Sequence, residues 1–373
     1  MDMSREEART ETGPGRTRDD SGVLDEALER LHASGPEREG WLSNHGPMAV
    51  EALVYGDRAA TVHRWLDRYR DKLEDMPPQA RPIDPAAWRE ALGDPSRLGD
   101  WPAYFARELA DRPWREVLAE WWPRLLPGLA GAATHTVIRA GHAVRTLQDT
   151  EAAGRTVTEP RVTELAHALG YWAARYARLP SAPVPDGTAT PDAALAGVPA
   201  VPAQAGGIRE RLAQLTPEST PGWPAAVSAL APARTPEEAR EALAGLVRAA
   251  VHRYAAYGHG EPLMLVHAAT APNAVLRTLP ALPRDLWVPS YAAAWAASAA
   301  VTAAYEPAAP LPPERIPAPP AGDATQAADE LLTRAAAHGD EHTIKFVDTA
   351  LDVGDDTARV AALQSVALLD PVF

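Results

Sequence analysis

From Val23 onward, apolar residues recur at the three- and four-residue spacing of an α-helix along almost the whole chain. Leu24, Ala27, Leu28 and Leu31 form one stripe. Ala59, Val62, Trp65, Leu66 and Tyr69 form a second, and Trp114, Val117, Leu118, Trp121 and Trp122 a third. Segments rich in Ala, Leu, Arg and Glu follow at 128–149, 158–177, 235–257, 261–278, 286–305, 324–337 and 341–351. These residues form helices readily. No set of alternating β-branched strands accompanies them, so the predicted fold is all-α.

The 37 prolines punctuate this pattern. They crowd into Leu179–Gln204 and Glu306–Ala321, which read as long Pro/Ala-rich surface loops. Histidine-bearing helices lie on both sides of each loop. That favours a single large helical domain over residues 23–373 rather than two units. Residues 1–22, nearly devoid of large apolar side chains, read as a disordered N-terminal tail.

The chain has no cysteine, which excludes disulfides, iron–sulfur clusters, thiolate haem ligation and cysteine nucleophiles. Any metal must be held by His, carboxylate or a less usual ligand, a donor set suited to iron, manganese or zinc. A net charge of −14 argues against nucleic acid and anionic membrane as partners. No eighteen-residue apolar stretch and no secretory leader is apparent, so a cytoplasmic location is expected. There is no GxGxxG after a strand, no Walker loop, no GxSxG elbow and no HExxH.

The candidate chemistry lies in five segments that combine histidine with apolar neighbours or a distinctive turn. In Ser43-Asn44-His45-Gly46-Pro47, Pro47 suits the first position of a helix, with Gly46 extended before it and His45 on a tight entry loop. His135 and His142 share a helix face two turns apart, about 10 Å, too far to ligate one ion together. His167 sits in an apolar stretch where a satisfied core histidine is the ordinary reading, and His267 is flanked by apolar residues on both sides, with Pro272-Asn273 following. His342 precedes Lys345 by three residues, so both occupy one side of a helix, with His338 one turn earlier on that side. Lys345 is one of two lysines, the other being Lys72, in a chain whose other cationic residues are arginine. An amine in an apolar setting can lose its proton or be carboxylated, which a guanidinium does not readily do. The plainer reading is a snorkelling lysine on a half-buried helix. The eleven tryptophans, equally, read as core or as the walls of a flat substrate site.

Asn44-His45-Gly46-Pro47-Met48-Ala49-Val50-Glu51-Ala52-Leu53 resembles the N-terminal signature of the questin oxidase-like family. Thr134-His135-Thr136-Val137-Ile138-Arg139, Val266-His267-Ala268-Ala269-Thr270 and Asp340-Glu341-His342-Thr343-Ile344-Lys345 resemble later segments of it, in the same order. The resemblance spans roughly residues 23–360. It implies an all-helical oxidoreductase of secondary metabolism that opens quinone-type or related rings of aromatic polyketides, with a small aromatic molecule and dioxygen as partners. It also implies a metal site: Fe(II) held by His45, His135, His267, His342 and a carboxylated Lys345, with His167 in reserve. Glu51 and His142 are the expected catalytic residues beside it. Other family members are described as NADPH-using Baeyer–Villiger-type oxidases, so a metal-free, NADPH-dependent reaction is an alternative. A non-catalytic helical binding protein is another.

Overall fold

The computed structural model describes residues 22–372; the residues read as an N-terminal tail, apart from Gly22, lie outside that range. Helices α1 (Val23–His32), α2 (Gly46–Tyr55) and α3 (Ala59–Tyr69) open the fold, with a short antiparallel hairpin of β1 (Glu37–Arg38) and β2 (Leu42–Ser43) between α1 and α2. Helices α4 (Asp100–Asp111), α5 (Trp114–Leu125), α6 (His135–Ala152) and α7 (Glu159–Ala174) follow. Three short helices, α8 (Pro191–Ala196), α9 (Ile208–Leu212) and α10 (Trp223–Ser228), lead to α11 (Pro236–Tyr257). The chain continues with α12 (Pro262–Leu265), α13 (His267–Thr278), α14 (Trp287–Tyr305), α15 (Ala324–His338), α16 (Glu341–Val353) and α17 (Asp356–Leu368). The fold is all-α apart from the one hairpin among the described residues.

The amphipathic stripes face one continuous core. Trp65, Trp101, Trp121, Trp122, Trp172, Trp223 and Trp295 are fully buried in it. These tryptophans are core side chains, and their indole N–H groups are mostly satisfied locally: Trp65 donates to Gly339 O, Trp122 to Ser290 Oγ and Trp295 to Val227 O.

The first Pro-rich segment is tied down more firmly than a surface loop. It carries α8, buries Ala194, Leu195 and Val201, and bonds Val201 N–H to Ala303 O at 2.9 Å. Its Ala and Val side chains have apolar surface to bury, which draws the backbone onto α11 and α14. The 306–321 segment is mostly exposed; it is tied to α11 by the Arg253–Glu306 ion pair and by the bond from Leu311 N–H to Ala256 O.

The helices α2, α6, α13 and α16 pack together, and each brings its N-terminus to the same place. His45 is the N-cap of α2, His135 and His267 are the first residues of α6 and α13, and His342 is the second residue of α16.

Candidate metal centre

His45 reaches its position through a chain of short constraints. The hairpin pairs Glu37 with Ser43 and Arg38 with Leu42. Asn44 then ties the exit: its N–H bonds Pro36 O at 2.8 Å, its amide donates to Gly35 O, and its Oδ1 accepts the Gly46 N–H at 2.9 Å. The His45 N–H donates to the Tyr69 hydroxyl at 2.7 Å. Gly46 is helical, not extended, and Pro47 stands second in α2. Without a Cβ, glycine tolerates the helical conformation that a following proline otherwise disfavours. Any Cβ there would also lie 2.6 Å from Leu31 Cδ2.

His135 is set by an unusual backbone. Ala132, Ala133 and Thr134 are all left-handed, with φ of 46°, 55° and 68°. Each such non-glycine residue costs about 1–2 kcal/mol. The turn starts α6 at His135, later than the alanine-rich pattern suggests, and aims the Ala132 carbonyl at the His135 ring, with Nδ1 at 2.6 Å. His267 does the same with ordinary geometry: its Nδ1 lies 3.0 Å from Met264 O. Further along α13, Pro272 has no N–H to give Ala268 O, and the Ser298 hydroxyl of α14 donates to that carbonyl instead at 2.6 Å.

His342 and Lys345 stand in the first turns of α16. Gly339, with φ 78°, ends α15, and the Asp340 carboxylate caps α16 through the N–H groups of His342 and Thr343. His338 is therefore on a different helix from His342, not one turn before it. Its Nε2 instead meets Leu369 O at 3.0 Å. Gly339 followed by Asp340 is a stop-and-start signal that the sequence does carry.

The four imidazoles converge. Ring centroids lie 4.4 Å apart for His45–His135, 4.5 Å for His45–His342, 4.4 Å for His135–His267 and 5.5 Å for His267–His342. Ligand atoms of His45, His135 and His342 fall within 4.8 Å of one another, as do those of Asp340, Glu341 and His342. Lys345, 1 % exposed, is buried among them, its Nζ without a hydrogen-bond partner.

The tautomers follow from the neighbours. His135 and His267 donate Nδ1–H to backbone carbonyls, which leaves both Nε2 atoms as bare lone pairs. Those two atoms face each other at 2.8 Å. Two acceptors at that distance repel unless a cation lies between them. Neighbouring ligands at right angles on a metal, with bonds of about 2.1 Å, stand about 3 Å apart. His45 Nδ1 lies 3.5 Å from Glu341 Oε1 and His342 Nδ1 3.7 Å from Asp340 Oδ2. Only His135 and His267 have Nδ1 hydrogen-bonded to an oxygen, the arrangement that orients metal-binding imidazoles; Nδ1 of His45 and both ring nitrogens of His342 are buried without a hydrogen-bond partner.

Electrostatics agree. Burial, then the Lys345 charge and the neighbouring imidazoles, hold His45 well below its ordinary pKa. Burial and the adjacent imidazoles and lysine do the same for His135 and His267. Burial lowers the Lys345 amine to about 8, although Glu341 and Asp340 pull it back upward. Neutral imidazoles and a partly neutral amine are the protonation states that ligation needs.

Glu51 and His142 lie further along α2 and α6 and bond to each other, with Nδ1 to Oε2 at 2.6 Å. Arg145 bridges the same Glu51 to Asp348 of α16, and Arg277 of α13 holds Asp348 and Asp352. Burial pushes the Glu51 carboxyl up, but Arg145 and His142 hold it down at about 2. This buried ion network ties together the four helices that carry the imidazole cluster. His167 is elsewhere again: its ring meets His32 at 4.7 Å, beside the Glu164–Arg139 pair. Glu341, Asp340 and Arg38 are not marked as site residues by the sequence alone, although the first two stand inside one of the five segments.

Residues 42–154 match the family model described as Questin oxidase-like. The questin oxidase-like match covers His45, Glu51, His135 and His142, and stops before His267, His342 and Lys345. It suggests an oxidoreductase. No curated protein matches the chain. No helix among the described residues is long and apolar enough to cross a membrane.

Proposed function

We propose that the protein is a non-haem iron oxygenase that opens or cleaves a ring of an aromatic polyketide or quinone-type substrate. Its metal would be held by His45, His135, His267, His342 and Lys345 carrying a carboxylate. The observation that carries the reading is the pair of bare Nε2 atoms of His135 and His267, 2.8 Å apart in a fully buried site.

Lysine carboxylation suits this setting. The neutral Nζ attacks CO₂, the new N–C bond forms, and one proton leaves, so an amine becomes an anionic carbamate. Burial lowers the amine's pKa to about 8, which raises its neutral fraction near physiological pH. Four helix N-termini point at the centre, and their dipoles oppose a bare cation there. An anionic ligand offsets that opposition. Bound ferrous iron would supply activation of dioxygen for the oxidation. Glu341 and Asp340 would place negative charge beside the His45 and His342 rings. The Glu51–His142 pair, the expected catalytic residues, would hold a shared proton between Oε2 and Nδ1 and fix α2 against α6.

The test is metal content after anaerobic reconstitution with Fe(II). Near-stoichiometric iron in the wild type, lost in Lys345→Arg, is the expected result, since arginine forms no carbamate. Less than about a tenth of an equivalent in the wild type would sink the proposal, because donor sets of this kind bind transition metals tightly. Oxidation that survives chelation and requires NADPH would instead select the metal-free Baeyer–Villiger reading.

A further inference from the structure

The imidazole cluster is closed to solvent. His45, His135, His342 and Lys345 are buried, and His267 is 0 % exposed. A small reactant must therefore cross a wall of side chains to reach it. One crevice in the surface comes close to the cluster on two helices at once.

One wall of this crevice is α11, which presents Ala250, Arg253, Tyr254 and Tyr257 at the three- and four-residue spacing of a single helix face. Leu195 of α8, Leu265 of α12 and Ala268 of α13 supply most of the remaining apolar lining. The alanines at 250 and 268 are too small to fill the space between these elements. They leave a gap about wide enough for one water-sized molecule. Charge is confined to the more exposed part of the lining. There Arg253 pairs with Glu306, and its guanidinium lies 4.3 Å from the centre of the Tyr257 ring.

The deep end meets the cluster in two places. Ala268 is the residue after His267 in the first turn of α13. Tyr254, which is also buried, packs its ring on Phe346 with centroids 4.2 Å apart, and Phe346 is the residue after Lys345 in α16. The Tyr254 hydroxyl donates to Pro262 O at 3.2 Å. Burial raises the pKa of that hydroxyl, and the Asp340 carboxylate that caps α16 raises it further, as expected for a ring lying against the start of α16.

The size and polarity of the gap select its occupant. A fused aromatic ring system does not fit a gap one water wide. Dioxygen is small and apolar, and apolar cavities take up apolar gases. A second crevice, of similar width, is lined by Glu51, His142, Arg161 and Glu164, whose charges favour water over a gas.

We propose that the crevice between α8, α11, α13 and α14 is the entry site for dioxygen, which passes between Tyr254 and Ala268 to the imidazole cluster. This rests on the reading of that cluster as an oxidative metal centre. Tyr254 is the partition: small side-chain motions let a diatomic gas by, while the ring keeps larger solutes out.

The first experiment uses full-length, metal-free protein with labelled methyl groups under dissolved dioxygen, whose paramagnetism speeds the relaxation of any methyl it touches. Methyls of Leu195, Ala250, Leu265 and Ala268 should show at least about threefold more enhancement than those of Val117 and Leu118, which are equally apolar and fully buried elsewhere in the core. Equal enhancement overturns the proposal without recourse to a variant. The second follows nitric oxide binding to the anaerobic Fe(II)-loaded protein by stopped flow. Ala250→Phe, which fills the gap, should slow association at least about tenfold with little change in Kd, because a blocked path slows entry and exit alike. Tyr254→Leu, which thins the partition, should speed it. Unchanged association in either folded variant overturns the proposal. Iron content is measured on the same preparations: little iron with enhanced relaxation is failure of the metal reading, and full iron without it is failure of this one.

Discussion

Lys345→Met in metal-stripped protein should raise stability, although it deletes a candidate ligand. Burial lowers the Lys345 pKa from 10.5 to about 8. At 1.36 kcal/mol per unit, a protonated Lys345 costs the folded state roughly 3 kcal/mol below pH 8. The sign follows from proton binding. Between pH 8 and 10.5 the unfolded chain holds more protons at this lysine than the folded one, so wild-type stability rises with pH across that window. Methionine fills similar volume without charge and removes the cost. Urea denaturation of the chelator-treated pair should therefore favour Lys345→Met by roughly 3 kcal/mol at about pH 7, and by only a few tenths at about pH 10.5. Fe(II) at about a thousandfold its Kd should reverse the order, since it contributes about 4.1 kcal/mol to wild type and little to the variant. A stripped variant less stable than wild type at neutral pH, or a difference that does not shrink as pH rises, would refute the reasoning.

Two further outcomes are expected. Burial pushes the Glu164 carboxyl up, but Arg139 and His32 hold it down at about 2; its stabilisation is complete above pH 4.5 and lost as pH falls toward 2. Glu164→Gln should flatten that acid limb in a pH series of urea melts, with a loss of roughly 3 kcal/mol at neutral pH. Gly46→Ala should cost about 1–3 kcal/mol by overpacking against Leu31, read by thermal melting, and a variant as stable as wild type would contradict the close approach.

The helices are legible because burial imposes its period on sequence: α7, α11, α14, α15 and α16 begin and end within a few residues of where the apolar spacing puts them. The histidines that meet are legible only as unrelated segments. Nothing in the spacing of His45, His135, His267 and His342 says that their helices share an origin; only the family resemblance groups them. The left-handed run at Ala132–Thr134 carries no residue type that marks it, because alanine and threonine normally avoid that conformation. Gly46 departs from the extended conformation expected before proline because that rule weakens when the residue lacks a Cβ.

The meeting of His135 and His267 joins positions 132 residues apart in the chain. The other members of the cluster come from still other segments, so the centre is a feature of high contact order. Loop-closure entropy must be met before any of these side chains can share a ligand. The four side chains can share a ligand only when the helices that carry them are docked. A metal at this position would therefore act as a latch on the finished fold: it would slow unfolding rather than speed folding, and no fragment ending between α6 and α13 would retain it.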